Sequence, residues 1–316
     1  MTGQMSISDA TRGNIIKVKR KRDPWPWLMV LPATIYLVAL SIYPLIQVVK
    51  LSLQRLSMTS GQAAVYIGVK NFINVLSTDR FWDAMKITGW FSIGSVAIQM
   101  LLGFIIALAL DRLVRARQIL TTLLLIPMMV APAVVGFMWK MIYHPEAGPL
   151  NILLKAIGIP PQSWVADAKL ALPSLLIADI WQWTPFVMIL LLAGLKSLPK
   201  QVYDAAYVDG STGWQTFKNI TLPMMKPFIF LALILRFIDS FKAFDLIYII
   251  TQGGPGNITE NLGFYTWRVG FRHFDMGFAA AMSVIQLVII IITAQFAFAA
   301  LKPRVKRVEI TVAETE

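Results

Sequence analysis

The sequence predicts an all-α membrane protein with six membrane-spanning helices. Of its 316 residues, 57% are hydrophobic and only 15% are charged, a balance too apolar for an ordinary globular protein. Six apolar runs are each long enough to cross a hydrocarbon layer about 30 Å thick, which takes about 20 helical residues. The Lys and Arg residues are also distributed unevenly among the segments that separate these runs.

The apolar runs set the predicted spans and show which of them carry charge. The spans lie at residues 25–49, 87–110, 118–142, 170–195, 225–250 and 276–301. The third contains Lys140 near its end and the fourth contains Asp179, whereas the fifth contains Lys226 near its start and, farther in, Arg236, Asp239, Lys242 and Asp245. Charged side chains inside a membrane span are costly, so we expect those of the fifth span to face the protein interior.

The basic residues predict that both ends of the chain lie in the cytoplasm. With six crossings, 17 Lys and Arg face the cytoplasm, concentrated in short segments such as 17–22 and 112–117, and 10 lie in the longer outer loops. This is the positive-inside pattern. The chain then divides into a cytoplasmic basic tail (1–24), a transmembrane domain (25–301) and a cytoplasmic C-terminal tail (302–316). Topology explains the net charge of +12, and nucleic-acid binding is not expected.

A polar stretch at residues 197–223 separates the fourth and fifth spans. Ser197 is placed to cap a helix that has Pro199 in its first turn, where a missing N–H is tolerated. Gly210 suits a left-handed residue just beyond the end of that helix. The stretch therefore predicts a helical hairpin.

The second helix of this hairpin is predicted from a cap and a narrow apolar stripe. Ser211 or Thr212 is placed to cap it, and Trp214 and Phe217 begin the stripe. Pro223 is expected to end the helix. A helix of this kind also suits the headgroup layer of a membrane, which is one interpretation of the stretch.

Seven residues of the stretch follow the spacing acid–Ala–Ala–x3–Gly–x9–Ile–x–Leu–Pro, which a headgroup helix does not require. They are Asp204, Ala205, Ala206, Gly210, Ile220, Leu222 and Pro223. This pattern resembles the EAA coupling loop in the permease subunits of binding-protein-dependent ABC importers. The chain departs from the family at Asp204, where Glu is usual. The charge is kept and the side chain is one methylene shorter.

Further segments resemble the carbohydrate-type (maltose-type) branch of these permeases. They are FKAFDLIYIITQGGPGNIT at 241–259, YIGVKNFINVL at 66–76 and LPATIYLVALSIYPLI at 31–46. The resemblance covers all but the extreme termini. It implies the six-helix bundle of an ABC importer permease, in which the cytoplasmic hairpin inserts into a cleft on a separate ATPase subunit.

The resemblance also implies a function and a set of partners. The chain would form half of the translocation path for a sugar or sugar-like solute, in the bacterial cytoplasmic (inner) membrane. The implied partners are a second homologous permease subunit, two ATP-binding cassette subunits and an extracytoplasmic solute-binding protein, besides membrane lipid. The sequence has no G-x-x-x-x-G-K-[ST] motif, so no cofactor is expected on this chain, and ATP and Mg²⁺ belong to the partner ATPases.

Candidate path residues fall in the fifth span. On a continuous helix, Phe241, Phe244, Asp245 and Tyr248 share one face, and this mixture of rings, carboxylate and hydroxyl suits a sugar. Lys242 lies beside the face, where it would meet an acidic group of a solute. Core packing is the alternative for these residues.

Other polar residues of the spans have competing interpretations. Trp181, Gln182 and Trp183 in the fourth span are a second candidate lining, with bundle packing as the alternative. Arg236 and Asp239 are interpreted as a structural ion pair between residues three apart on a helix. With no cysteine and only two histidines, far apart in sequence, no metal site is expected.

An ion-gradient-driven secondary transporter is the alternative function. Asp239 and Asp245 would then be its proton or cation sites. The sequence shows no convincing internal repeat between its halves, and this function leaves the hairpin unexplained. An enzyme is not expected, because no nucleophile–base arrangement appears. The identity of the sugar, polyol or acidic sugar derivative is not determined by the sequence.

Overall fold

The described part of the protein is almost entirely helical. The computed structural model describes residues 25–59, 61, 63–113 and 116–301, so the predicted tails at 1–24 and 302–316 lie outside the described residues. The helices are α1 (Trp25–Ser52), α2 (Lys70–Leu76), α3 (Asp79–Arg112), α4 (Arg117–Met129), α5 (Pro132–Ile142), α6 (Pro149–Ala156), α7 (Ala171–Ser197), α8 (Lys200–Val208), α9 (Gly213–Thr216), α10 (Leu222–Phe241), α11 (Leu262–Phe271) and α12 (Met276–Leu301). A short antiparallel ladder joins β1 (Gln54–Arg55) to β2 (Val65–Tyr66).

The chain divides into two units, one ending at Gln47 and the other starting at Val48. The described part of the first unit, residues 25–47, is helical throughout and belongs to α1, with Pro32 and Pro44 inside the helix. The second unit contains every other helix and both strands. The candidate functional residues all lie in the second unit.

Five helices are long and apolar enough to cross a membrane, and the bent pair α4–α5 makes a sixth if it forms one span. The five are α1, α3, α7, α12 and the helix Gly213–Phe241. Helix α3 starts at Asp79, so residues 79–86, predicted as outer loop, are helical. Asp79 favours this early start because a carboxylate in the first turn is stabilised by the helix dipole.

Helix α7 is the centre of the second unit, since it packs against α3, α4 and α10. Near its C-terminal end, the buried residues Val187 and Leu191 contact Ala107 of α3 and Met225 of α10 in one apolar cluster. Close packing requires glycine at position 194, where an added Cβ would lie 2.6 Å from Cγ of Phe228. These contacts fix the direction in which α7 leads into the hairpin.

Two of the predicted spans are not continuous helices. Between α4 and α5 the axis turns by 90°, and α5 begins with Pro132, whose missing N–H suits the first position of a helix. The fifth span breaks where α10 ends at Phe241, and a short helical stretch resumes at Asp245. The expectation that Phe241 and Tyr248 share the face of a continuous helix is therefore wrong.

Side-chain amides replace the missing backbone donors at these breaks. Gln286 donates to the carbonyl of Phe241 at 3.2 Å, and Asn261 donates to the carbonyl of Ala243. At the other break, Gln182 donates to the carbonyl of Val130 at 3.2 Å. A break inside the membrane requires such partners because hydrocarbon offers none.

Candidate functional site

The first helix of the polar hairpin is α8. It starts after Pro199, which occupies the N-cap position, so the prediction that Ser197 caps it is wrong. Helix α7 continues through Ser197, and the Ser197 hydroxyl donates instead to the carbonyl of Gly194 at 2.7 Å. Of the motif residues on α8, Asp204 is exposed and Ala206 is buried. The acidic group of the motif thus points to solvent.

The turn of the hairpin has the predicted chemistry. Gly210 adopts φ +71°, a left-handed conformation in which a side chain is strained. Thr212 caps the following helix in a capping box, because its hydroxyl accepts from the N–H of Gln215 while the Gln215 side chain accepts from the N–H of Thr212 at 2.8 Å. These two sequence predictions are confirmed: the turn has a left-handed glycine and a capped helix after it.

Large apolar side chains surround this turn and are exposed. Tyr207 and Val208 at the end of α8 expose 85% and 84% of their surface, and Trp214 at the start of α9 exposes 70%. The Trp214 ring stacks on Phe217, with centroids 5.6 Å apart. Exposed apolar groups concentrated in one place are typical of a surface that another protein covers.

The prediction that Pro223 ends the second helix is wrong. The chain is helical from Gly213 to Phe241, with a π turn at Phe217–Thr221 in which the N–H of Leu222 donates to the carbonyl of Phe217. The wider turn leaves room for the proline ring that follows it. Ile220 and the other late motif residues therefore lie on the same helix as the charges Arg236 and Asp239.

A cavity of about 150 Å³ lies where both helix breaks approach α7. Its lining consists of Pro132, Asp179, Gln182, Trp183, Asp239, Ser240, Lys242, Ala243, Phe244, Asp245 and Leu246. A second cavity of about 310 Å³ shares Trp183, Asp239 and Lys242 with it and also reaches Arg236. The two cavities place rings, carboxylates and an ammonium group around one space.

The structure brings together five of the eight candidate path residues. Gln182, Trp183, Lys242, Phe244 and Asp245 line the cavity. All of them flank a helix break or lie on α7 opposite one.

The other three candidates lie elsewhere. Trp181 lines an apolar cavity with Trp139, and their rings meet edge to face at 5.9 Å. Phe241 is buried, with its ring near Phe237, whereas Tyr248 stacks on Phe244 at 5.3 Å. Packing is the role that these contacts support for the three.

A buried ionic cluster lies beside the cavity. Arg236, only 1% exposed, donates from Nη1 to Asp239 at 2.6 Å, from Nη2 to Asp179 at 3.3 Å and from Nε to Gln99 at 2.8 Å. Gln99 in turn donates to Asp179 at 2.8 Å, and the guanidinium lies 4.9 Å from the centre of the Trp183 ring. The predicted ion pair between Arg236 and Asp239 is confirmed.

Several cavity and cluster residues were missed by sequence reasoning. Asp179 carried a signal, because it is the single charge of its span and an isolated intramembrane charge needs a partner. Gln99 and Ser240 carried none, since polar uncharged residues are common inside helices. In the described part of the chain, Lys242 and Asp245 form no ion pair with each other or with any other residue.

The loop that follows the broken fifth span has an ionic anchor of its own. Glu260 is buried and pairs with Arg80 of α3 at 2.9 Å and with Arg268 of α11. Arg80 also donates to the side chain of Asn257 at 2.7 Å. These contacts attach the loop to α3 and α11 and leave Asn257 at its exposed tip.

Comparison with known proteins assigns the family. Residues 99–307 match the family described as binding-protein-dependent transport system inner membrane component. The chain is 34% identical to the trehalose/maltose transport system permease protein MalF of Thermococcus litoralis, over 87% of this chain and 92% of that protein. It is 32% identical to the sn-glycerol-3-phosphate transport system permease protein UgpA of Agrobacterium fabrum, over 89% and 95%.

A solved structure has the same fold. A chain from the crystal structure of a bacterial ABC transporter involved in the import of the acidic polysaccharide alginate superposes with a TM-score of 0.76. The identity is 22%, and the alignment covers 89% of this chain and 96% of that chain. The protein is thus a multi-pass membrane protein, and it belongs to the binding-protein-dependent inner membrane components, as a permease of the carbohydrate ABC importers.

Proposed function

We propose that this chain is one of two permease subunits in an ATP-driven, binding-protein-dependent importer, and that it forms half of the path for a sugar or sugar-like solute. It crosses the bacterial cytoplasmic membrane six times, with both termini in the cytoplasm. The observation that carries the proposal is the continuous helix from Gly213 to Phe241, which joins the exposed hairpin to the cavity.

The hairpin is the segment that contacts the ATPase. Its tip exposes Tyr207, Val208 and Trp214, a surface suited to a groove on another protein. Its turn requires the left-handed conformation of Gly210. A partner must supply the energy, since the chain has no phosphate-binding motif. Reversing a two-state bundle from 1:99 to 99:1 takes about 5.5 kcal/mol, which a pair of ATPase subunits that closes on ATP can supply.

The cavity is this chain's part of the solute path. Transporters place their solute sites where membrane helices are interrupted, because free backbone and polar side chains are tolerated there. The breaks at Val130 and at Lys242 both border the cavity. Trp183 and Phe244 supply ring faces for the C–H surface of a sugar, and the carboxylates supply acceptors for its hydroxyls.

An ion-gradient mechanism has less support. It requires Asp239 or Asp245 to take up a proton or cation, yet Asp239 is already paired with Arg236 at 2.6 Å. Reconstituted vesicles separate the two mechanisms. Uptake that requires ATP and survives an ionophore supports the importer, whereas collapse with the ionophore supports the alternative.

Coupling is tested by substitutions in the hairpin. Gly210→Pro cannot adopt φ +71°, and Asp204→Lys reverses the exposed charge of the motif, so we expect both to abolish solute uptake while the spans still insert. Gly213→Pro is the matched control, because proline is tolerated at the first position of a helix. Normal uptake together with normal co-purification of the ATPase in both variants would refute the proposal.

The orientation is tested by cysteine labelling of intact cells. We expect cysteines at positions 5 and 312 to resist a membrane-impermeant thiol reagent and those at positions 60 and 257 to react. The chain has no native cysteine to interfere. Labelling in the opposite sense would detach the hairpin from any cytoplasmic ATPase.

A further inference from the structure

We infer that the solute is a polyhydroxylated molecule without an anionic group, and that this chain's wall of the path discriminates against anionic sugar derivatives. The inference rests on the proposed function. Its basis is the balance of charge and hydrogen-bonding groups at the cavity, where acceptors exceed donors.

Gln182 provides an acceptor that lacks a donor. Its side chain is fully buried at the cavity, and its amide nitrogen donates to the carbonyl of Val130 at 3.2 Å. Its Oε1 atom has no hydrogen-bond partner within the described residues. A buried acceptor left unpaired is unfavourable, so a donor group of a bound molecule completes this site.

The guanidinium of Arg236 borders the second cavity, but protein acceptors already engage it. The guanidinium is only 1% exposed, and all three of its nitrogens donate to protein acceptors, as described above. Asp239, by contrast, exposes 50% of its side chain. Its carboxylate therefore binds Arg236 and is also accessible from the cavity. The carboxylate of this pair is therefore far more accessible to a solute than the cation.

The remaining charges also disfavour an anion. Lys242 and Asp245 both line the cavity and are exposed. Three aspartates, with Asp179 included, against Arg236 and Lys242 leave a formal charge of −1 around the site. A phosphate, sulfonate or carboxylate group would be repelled by two accessible carboxylates and attracted by one ammonium.

Hydroxyl groups fit this lining better than an anionic group. Each O–H of a sugar donates to Gln182 Oε1 or to a carboxylate, while its oxygen accepts from Lys242. The Trp183 and Phe244 rings take the apolar C–H faces. The chemical class that the wall selects is thus a sugar or polyol without an anionic group.

The test is ligand binding to the assembled importer in nanodiscs, without the solute-binding protein. The probes are glucose, maltose and trehalose, each with its phosphate ester, and equilibrium dialysis gives the affinities. We expect a neutral sugar to bind at least roughly tenfold more tightly than its phosphate ester. Asp245→Asn should narrow this difference severalfold, whereas the exposed outer residue Asp83, changed to Asn, should leave it unaltered.

Two results would overturn the inference. One is a phosphate ester that binds as tightly as its neutral parent, and the other is that no neutral sugar binds at millimolar concentration. Stimulation of ATP hydrolysis by the solute-binding protein, measured on the same complex, tests the proposed function separately. Stimulation without neutral-sugar selectivity would reject the solute class and keep the importer, and absent stimulation would reject the importer.

Discussion

The polar hairpin and the ionic cluster beside the cavity differ in how far their side chains are buried. At the hairpin tip, Tyr207 and Trp214 expose most of their surface and make few contacts within the chain. In the cluster, Arg236 is buried and each of its nitrogens has an acceptor. The exposed side chains of the hairpin suit the proposed contact with another protein, whereas the cluster compensates charge away from water.

Because of this difference, we expect substitutions in the cluster to change stability and substitutions in the hairpin to change partner binding. A buried ion that loses its partner destabilises the fold, because its desolvation is no longer compensated. An exposed apolar residue contributes little to the fold, so that its loss is felt in binding. Variants of the cluster should therefore reduce assembly, and variants of the hairpin should reduce ATPase association, when both quantities are measured on each variant.

The largest effect is expected from Arg236→Met. The substitution leaves Asp179 buried without its cation, which costs about 3–5 kcal/mol, so little assembled complex should be recovered in detergent. The control is Lys242→Met, the same type of change at an exposed residue without an ion pair, which should assemble normally. Equal recovery of both variants on size exclusion would contradict a structural role for the cluster.

A smaller loss of stability is expected from Gln99→Leu. It removes the acceptor for Nε of Arg236 and the donor to Asp179, and a buried group left unpaired costs about 1–3 kcal/mol. The midpoint of thermal unfolding of the complex should fall, with the hairpin unaffected. A midpoint equal to that of the wild type would mean that Arg236 and Asp179 compensate each other without the amide.

Gly210→Ala should affect the hairpin and leave the cluster intact. A side chain at φ +71° costs about 1–2 kcal/mol, locally distorting the turn, so ATPase association should weaken while the midpoint of the bundle hardly changes. Gly213→Ala is matched to it, because this glycine is helical and has no atom within 4 Å of an added Cβ. Equal ATPase association in the two variants would show that the turn geometry is not required.

The smallest effect on stability is expected from Asp245→Asn. This carboxylate forms no ion pair among the described residues, so the amount of assembled complex should match the wild type. Solute-stimulated ATP hydrolysis should nevertheless fall, because the cavity loses a charged acceptor. Loss of assembly, rescued by adding Lys242→Met, would instead assign Asp245 to a structural pair.

The sequence was informative wherever chemistry is local. The turn at Gly210 and the cap at Thr212 follow from the residues themselves, and the pair Arg236–Asp239 follows from helical spacing. The helix breaks were not predictable in this way. Their freed carbonyls are satisfied by Gln286 and other amides distant in sequence, which no local pattern reveals.

Proline was the least reliable signal. Pro223 was expected to end a helix, yet the π turn before it lets the helix continue. Pro132 starts a helix inside a predicted span and turns the axis by 90°. Whether a proline starts, interrupts or merely sits in a helix depends on which neighbouring groups take over the missing hydrogen bond, and that is a tertiary property.

The uninterrupted helix between the hairpin and the cavity has a thermodynamic consequence. Its 29 residues span about 43 Å, so one helix connects the proposed ATPase contact at one end with the proposed solute site at the other. Linkage makes such coupling reciprocal: the factor by which bound ATP changes solute affinity equals the factor by which solute changes ATP affinity. The preference for one solute over another can then be measured from ATP binding alone, as the shift in ATP affinity that each sugar produces.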